Sequence, residues 1–277
     1  MHQWRPLRIL CVGLQDNVGR VVTTNIQCWG HEVIGFPIAR TMEVEREANG
    51  AFSVLEGDIL LYDVDASIPF LRREDGISPS RQSIFVASGQ RLQASLTIAL
   101  SSRSVSRSML EQIGAVALLQ MPFEMGHLQR YLSVLQRLLL AAPRQDSGIT
   151  EHEKVRVLVV DDDINLAHAI QQCLLYESGY EVEVAYNGLE ALEQWLDWYP
   201  ECIVTDLIMP WMNGYQVMRC LAVGAEHMMP GFVVMSALPS LEGPRDRLYL
   251  EGKSVAYVDK PFHVEHLLHA IKQVCAE

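Results

Sequence analysis

Residues 155–170 read VRVLVVDDDINLAHAI: a β-branched apolar run, then three aspartates, then apolar residues at the spacing of a helix. The same alternation continues along the chain. Four more apolar runs follow at 181–185, 202–206, 231–236 and 254–258, and segments with helical spacing lie between them. Apolar strands that alternate with helices indicate a parallel sheet covered on both faces. We therefore predict a doubly wound α/β domain of five βα units over 155–277.

The first half of the chain repeats this pattern in a degenerate form. Three of its apolar runs resemble runs of the second half: RILCV (8–12) and RVLVV (156–160), ILLYD (59–63) and CIVTD (202–206), IFVASG (84–89) and FVVMSA (232–237). Segment 143–154 is polar and holds a proline and a glycine, which is typical of a linker. We predict two tandem parallel-sheet domains, 1–142 and 155–277, joined by a linker at 143–154.

Composition and charge exclude several classes of protein. Of the 277 residues, 49% are hydrophobic and 20% are charged, which is typical of a globular protein. Residues 1–142 hold 13 basic and 13 acidic side chains, and the remainder holds 9 basic and 21 acidic, so the net charge of −12 lies in the second half. This disfavours nonspecific nucleic-acid binding. No apolar run approaches the ~20 residues of a membrane helix, and no signal peptide is evident. We expect a cytoplasmic protein.

Polar side chains follow four of the predicted strands of the second half. They are Asp161, Asp162 and Asp163 after the first strand, Asp206 after the third, Ser236 after the fourth and Lys260 after the fifth. Because the carboxyl ends of parallel strands meet at one edge of a sheet, we expect these side chains to converge there.

The chemistry of such a cluster is specific. Two carboxylates ~5 Å apart repel each other by roughly 3 kcal/mol at an effective dielectric constant of 20, so a cluster that stays ionised favours a cation. Oxygen ligands without cysteine or histidine suit Mg²⁺. A carboxylate beside Mg²⁺ and an ammonium can attack phosphorus and form an aspartyl phosphate. The lysine and the serine hydroxyl would stabilise charge on the transferring group.

The second half resembles the receiver domain of bacterial response regulators in four segments: VLVVDDD (157–163), TDLIMPWMNG (205–214), MSA (235–237) and YVDKPF (257–262). The resemblance implies a flavodoxin-like (βα)5 fold and phosphoryl transfer from a histidine kinase or a histidine phosphotransfer protein. It implies that Asp206 is the phosphoacceptor. It assigns Mg²⁺ to Asp161, Asp162, Asp206 and the backbone carbonyl of Ile208, and phosphoryl binding and switching to Ser236, Lys260 and Tyr257. It also implies a cis peptide bond before Pro261. Asp163 fits better as a helix cap than as a third member of the acidic pair Asp161 and Asp162.

The first half lacks most of these residues. The aligned repeat places Gly13 and Leu14 where Asp161 and Asp162 stand, places Met121 at the position of Lys260, and keeps Asp63 and Ser88 at the positions of Asp206 and Ser236. Without the acidic pair and the ammonium, little remains to bind a cation or a phosphoryl group. We therefore interpret it as a flavodoxin-like pseudo-receiver that has lost phosphotransfer chemistry. We expect its third helix to be small or absent.

The leading functional hypothesis is a two-component response regulator that signals through protein contact. The chain ends 15 residues after Phe262, so we expect no DNA-binding output. We expect no enzymatic activity beyond phosphorylation and dephosphorylation of Asp206 itself. The expected partners are the phosphoryl donor and a downstream protein, with a homodimer as a further candidate, and neither nucleic acid nor a membrane.

Three alternatives stay open from the sequence. In the first, Asp206 passes its phosphoryl group onward as a phosphorelay shuttle or sink. In the second, both halves form a phosphorylation-independent scaffold. The third alternative is a haloacid-dehalogenase-like phosphatase, because LLYDVDAS (60–67) fits the start of that motif. There Asp63 would be the nucleophile and Asp65 the acid/base, but the first half contains no lysine to support phosphoryl chemistry.

Overall fold

A computed structural model of the chain describes residues 4–14, 16–36, 53–66, 82–86, 90–106, 109–110, 113–140, 154–177, 179–210, 212–224, 229–236 and 255–275. The chain divides into two compact units, Met1–Leu140 and Ala141–Glu277. Segment 143–153, most of the predicted linker, lies outside the described residues. No helix in the described ranges is long and apolar enough to cross a lipid bilayer.

The described residues of the first unit include six strands and two helices: β1 Arg8–Val12, α1 Asn17–Cys28, β2 Glu32–Phe36, β3 Ser53–Asp63, β4 Gln82–Val86, β5 Gln90–Ser101, β6 Ala115–Gln120 and α2 Met125–Leu140. Five strands pair in parallel in the order β2-β1-β3-β5-β6. The apolar stripe of α2, including Leu128, Leu132 and Leu135, is fully buried. The predicted doubly wound sheet is therefore present in this unit.

Strand β4 departs from the predicted repeat. The sequence alignment placed residues 84–89 on the fourth parallel strand, but β4 pairs antiparallel with residues 90–94 of β5. The fourth parallel strand is β5, which pairs with β3 along its length. This part of the aligned repeat is wrong, because β4 precedes the fourth parallel strand and pairs antiparallel with its first residues. The expectation of a small third helix falls on 67–81, outside the described residues.

The described residues of the second unit form five strands and four helices: β7 Val155–Val160, α3 Ile164–Tyr176, β8 Tyr180–Ala185, α4 Gly188–Trp198, β9 Cys202–Asp206, α5 Gly214–Gly224, β10 Gly231–Ser236, β11 Val255–Asp259 and α6 Val264–Cys275. All strands pair in parallel in the order β8-β7-β9-β10-β11. Each begins and ends within one residue of its predicted bounds, and the predicted doubly wound fold is confirmed.

The central strands of this sheet are covered on both faces. Residues 157–160 of β7 are all fully buried, so successive side chains are packed on opposite sides. One side belongs to a cluster that joins Val159 and Val233 of the sheet to Ile170 of α3 and Ile271 of α6. Burial on both faces explains why these strands are continuous apolar runs rather than alternating ones. It also leaves the strand ends as the place where polar groups can collect.

Candidate functional site

Three strands of the second unit bring the candidate site residues to one edge of the sheet. Strand β7 is followed directly by Asp161, β9 ends at Asp206, and β11 ends one residue before Lys260. Parallel register keeps these ends level, since Val160 pairs with Thr205 on the neighbouring strand. Residues about a hundred positions apart in the chain therefore meet at the carboxyl edge.

Lys260 joins the two carboxylates on either side of it. Its Nζ donates to Asp161 Oδ2 at 2.9 Å and to Asp206 Oδ2 at 3.0 Å. The side chain of Asp161 is 1% exposed and that of Lys260 is 18% exposed. The backbone amide of Lys260 donates to the carbonyl of Ser236 at 2.7 Å, and the bond to Pro261 is cis. Buried charges need such pairing to be tolerated.

Three carboxylates form the candidate metal centre. Asp161, Asp162 and Asp206 each offer an oxygen, and these oxygens lie within 4.8 Å of one another. Asp161 is buried, Asp206 is partly buried and Asp162 is exposed, so the cluster opens to solvent on the side of Asp162. An oxygen-only set of this kind fits a hard divalent cation. The backbone amide of Ile208 donates to Asp206 Oδ1 at 3.3 Å, while a ligand role for the Ile208 carbonyl stays a prediction.

The electrostatics of the cluster favour additional positive charge. Burial raises the pKa of Asp161 above its usual value, and the hydrogen bond and charge of Lys260 offset this only in part. Burial acts to lower the pKa of Lys260, but its contacts with the two carboxylates outweigh burial and leave that pKa raised. The ammonium thus stays charged. Asp161 carries a burial penalty that a cation beside it would relieve.

The two remaining candidate residues lie on the neighbouring strands. Ser236 ends β10, is 8% exposed and pairs in register with Asp259 of β11. Tyr257 also lies on β11 and is 50% exposed. Their proposed switch roles depend on the segment that links β10 and β11, and residues 237–254 lie outside the described part of the chain.

Two local features hold the ends of β7 and β9 in position. Asp163 caps α3, as expected, because its Oδ1 accepts the amides of Asn165 at 3.0 Å and Leu166 at 3.2 Å. Gly214 begins α5 in close contact with β9, since a Cβ there would lie 2.6 Å from the carbonyl oxygen of Asp206. The sequence analysis quoted Gly214 within a motif without assigning it this packing role.

The first unit repeats the backbone of this edge without its side chains. The amide of Gly13 donates to the carbonyl of Phe36 at 3.2 Å, as the amide of Asp161 does to that of Ala185 at 3.2 Å. The amide of Met121 donates to the carbonyl of Ser101 at 2.7 Å, in the manner of Lys260, and the bond after Met121 is also cis. Gly13 has a φ of 88°, which a residue with a Cβ rarely adopts. Leu14 follows it, and neither supplies a carboxylate.

The fourth strand of the first unit ends on a different serine from the one expected. Ser88 lies outside the described residues. In the register, Leu100 lies opposite Asp63 as Met235 lies opposite Asp206, so Ser101 takes the position of Ser236. The sequence signal for this assignment is LTIALSS (96–102), an apolar run that ends in serine.

The aspartates of the first unit are arranged unlike those of the second. Asp63 is 8% exposed, and burial raises its pKa even though backbone amides, including that of Asp65, donate to it. The carboxylate of Asp65 accepts hydrogen bonds from Ser101, the last residue of β5, and from Ser102, which follows it. The sequence analysis considered Asp65 only as the acid/base of a phosphatase and missed this contact, because the donors lie 36 and 37 residues further along the chain.

The second unit is similar to known proteins. Residues 157–272 match the family model "Response regulator receiver domain". Response regulator MprA of Mycobacterium ulcerans is 35% identical over 115 residues, and MprA of Mycobacterium tuberculosis is 36% identical over 115 residues. Each alignment covers 41% of this chain and 47% of the relative, so the chain spans about half the length of the curated relatives it matches.

The solved structures include the signal receiver domain of a response regulator from Bermanella marisrubri. That protein is 30% identical, with a TM-score of 0.38, and the match covers 44% of this chain and 98% of that chain. The family match itself extends from β7 into α6 and contains Asp161, Asp162, Asp206 and Lys260. Residues 157–272, which lie in the second unit, therefore form a response regulator receiver domain.

Proposed function

We propose that Asp206 accepts a phosphoryl group from a phosphorylated histidine of a histidine kinase or a histidine phosphotransfer protein. The observation that carries this proposal is the Lys260 ammonium, held 2.9 Å from Asp161 and 3.0 Å from Asp206. A lysine fixed beside the accepting carboxylate places positive charge where the phosphoryl oxygens will lie. We further propose that the phosphorylated unit signals through protein contact and turns over no external substrate.

The transfer is a substitution at phosphorus. An oxygen of the Asp206 carboxylate attacks, an O–P bond forms, and the P–N bond to the donor imidazole breaks with its electron pair staying on nitrogen. The amide of Ile208 holds the other end of the carboxylate by donating to Oδ1 at 3.3 Å. Lys260 stabilises the negative charge on the transferring group, and Ser236, at the end of the adjacent strand, would donate a hydrogen bond to it.

The acidic cluster fits Mg²⁺ as the ion of this reaction. Asp161, Asp162 and Asp206 supply only carboxylate oxygens, which are the ligands that Mg²⁺ prefers. When bound, the ion supplies positive charge that neutralises phosphoryl oxygens. The buried Asp161 is the anchor of the set, because its position is also secured by the amide of Asp163, which donates to Oδ1 at 2.9 Å.

The signal can leave the site through the edge strand. The phosphoryl group adds negative charge beside Lys260 and Ser236, so it biases the ends of β10 and β11 toward a second arrangement. Tyr257 lies half exposed on β11, where a change at the strand end alters the surface that a partner protein meets. This supports an output by protein contact.

Intact mass measurement on the full chain tests the proposal. The protein is incubated with Mg²⁺ and either acetyl phosphate or phosphoramidate, the second of which carries the P–N bond of a phosphohistidine. We expect one phosphoryl adduct that requires Mg²⁺, is lost in Asp206→Asn and is retained in Asp63→Asn, the matched control in the first unit. An adduct that survives in Asp206→Asn overturns the proposal, and two adducts on the wild type overturn the pseudo-receiver interpretation.

Two further measurements separate the alternatives. Hydrolysis of p-nitrophenyl phosphate that disappears in Asp63→Asn would identify a phosphatase, although the carboxylate of Asp65 is engaged with other donors in this structure. Gel filtration with and without beryllofluoride, a phosphoryl mimic, tests the output. A change in oligomeric state or partner binding supports a switch, whereas identical behaviour under both conditions supports a scaffold.

A further inference from the structure

The carboxylate of Asp65 in the first unit is surrounded by hydrogen-bond donors from the end of β5. Ser101 Oγ donates to Oδ1 at 2.8 Å, and Ser102 Oγ donates to Oδ2 at 2.6 Å. The backbone amide of Ser102 also donates to Oδ2, and Arg103 Nε donates to Oδ1 at 3.3 Å. We call this set of donors, from Ser101, Ser102 and Arg103, the anion cradle.

The anion cradle is built into the fold. Ser101 is fully buried, and its Oγ also accepts the amide of Arg103 at 3.1 Å. The hydroxyl of Ser101 therefore orients both the carboxylate of Asp65 and the turn that carries Arg103. Two hydroxyls, one amide and one guanidinium converge on two oxygens, which is a donor set suited to any tetrahedral or planar oxyanion.

The cradle occupies the position where the second unit is proposed to hold its phosphoryl group. The amide of Val64 donates to the carbonyl of Leu100 at 2.9 Å, as that of Leu207 does to Met235 at 3.3 Å. The turns after β3 and β9 are thus equivalent, and Ser101 stands where Ser236 stands. The carboxylate of Asp65 therefore reaches Ser101, the serine that corresponds to the proposed phosphoryl-binding residue Ser236.

The two units differ in the side chain that follows the equivalent aspartate by two positions. The amide of Asp65 donates to Asp63 Oδ1 at 2.9 Å, and the amide of Ile208 donates to Asp206 Oδ1 at 3.3 Å. The backbone turn is shared, but Ile208 is 60% exposed. In the first unit a carboxylate at that position is turned inward onto the strand-end serine.

We propose that the carboxylate of Asp65 permanently fills an oxyanion site in the first unit. It thereby holds the segment after β5 in its anion-bound arrangement without phosphorylation. The first unit then presents one fixed surface, whatever the state of its neighbour. Gly13 and Met121 are consistent with this role, since a site that needs no phosphoryl transfer needs neither a cation-binding carboxylate nor a lysine.

Hydrogen exchange of the full chain, read on peptides that contain Ser102, tests this proposal by anion rescue. We expect Asp65→Ala to raise the exchange of the Ser102 amide about tenfold or more, because that amide loses its acceptor. Millimolar inorganic phosphate should restore protection in the variant, whereas chloride at equal ionic strength should not. Phosphate should leave the wild type unchanged. Asp58→Ala is the matched control, since Asp58 is paired with Arg5 in the same unit at 2.7 Å and touches no part of the cradle.

The outcomes separate an occupied anion site from a simple loop brace. Unchanged exchange in Asp65→Ala overturns the proposal, and so does faster exchange that phosphate fails to reverse. Amides of α2 report whether the unit remains folded in each variant. If Asp65→Ala loses protection there, Asp65→Ser, which also leaves room for an added anion, carries the same test with the same expected results.

Discussion

Replacement of Lys260 by methionine should destabilise the second unit strongly without a divalent cation and weakly with one. The ammonium lies 2.9 and 3.0 Å from two carboxylate oxygens, and the three carboxylates of the cluster lie within 4.8 Å of one another. Two unit charges ~5 Å apart repel by roughly 3 kcal/mol at an effective dielectric constant of 20. Removal of one partner of a buried ion pair costs about 3–5 kcal/mol.

Because Lys260 is partly exposed, the expected loss lies at or just below the lower limit of that range. Its side chain is 18% exposed, so solvent screens part of the repulsion, and we expect a loss of about 2–3 kcal/mol in EDTA. A divalent cation held by the same carboxylates replaces the missing charge. In Mg²⁺ the loss should therefore fall to about 1 kcal/mol or less.

Native-state hydrogen exchange of β7 and β9 measures this difference while the chain stays whole. The expected losses correspond to exchange about 30- to 150-fold faster in EDTA and less than about tenfold faster in Mg²⁺. Lys272→Met is the matched control, since Lys272 is an exposed lysine in the last turn of α6. Lys272→Met should change the exchange rates of β7 and β9 neither in EDTA nor in Mg²⁺.

Two results would refute the reasoning. Equal acceleration with and without Mg²⁺ would mean that Lys260 acts by packing its aliphatic chain and not as a counter-charge. No acceleration in EDTA would mean that Asp161 and Asp206 are not held ionised together, and the charge argument for the site would fail with it.

Three further changes test the supports of the two sites. Asp163→Ala should cost the second unit about 1 kcal/mol through loss of the α3 cap, measured by the same exchange; an unchanged rate would contradict the cap. Gly214→Ala should slow phosphorylation of Asp206, because the added Cβ would lie 2.6 Å from that residue's carbonyl oxygen and must push α5 away; a wild-type rate by intact mass would contradict the close approach. Although burial opposes it, hydrogen bonding lowers the pKa of Asp65 to about 2. A depressed carboxyl pKa stabilises the fold above the unfolded value near 4, so the stability difference between wild type and Asp65→Asn should vanish as pH falls toward 2. Urea unfolding of β1 followed by exchange labelling measures it, and a difference that grows on acidification would contradict the contact.

The strands of the second unit were predictable because their signal is local. Each is a short β-branched apolar run between polar segments, and central strands of a parallel sheet are buried on both faces. Observed bounds such as Val155–Val160 and Cys202–Asp206 follow the runs within one residue. The acidic edge was predictable for a related reason, since parallel strands that end in polar residues bring those residues to one side.

The first unit shows where such local signals fail. Two apolar runs, at 84–86 and 96–100, compete for the fourth parallel strand, and the sequence analysis aligned the first of them. The structure pairs the second with β3 and turns the first into the antiparallel strand β4. Register between strands depends on contacts with partners far away in the chain, which the composition of a run does not encode. The serine assignment moved from Ser88 to Ser101 for this reason.

The sequence by itself determined which residue types stand at the ends of the strands: the carboxylates, serine and lysine of the second unit, and the glycine and methionine that replace two of them in the first. Tertiary structure alone decided which of these groups touch. Lys260 donates to Asp161 and Asp206 because three parallel strands end level, and Asp65 turns inward because the donors at the end of β5 lie within its reach. Side-chain contacts between distant strands are set by register and packing. Two units with the same backbone edge can therefore present a lysine between two carboxylates in one case and a set of donors filled by Asp65 in the other.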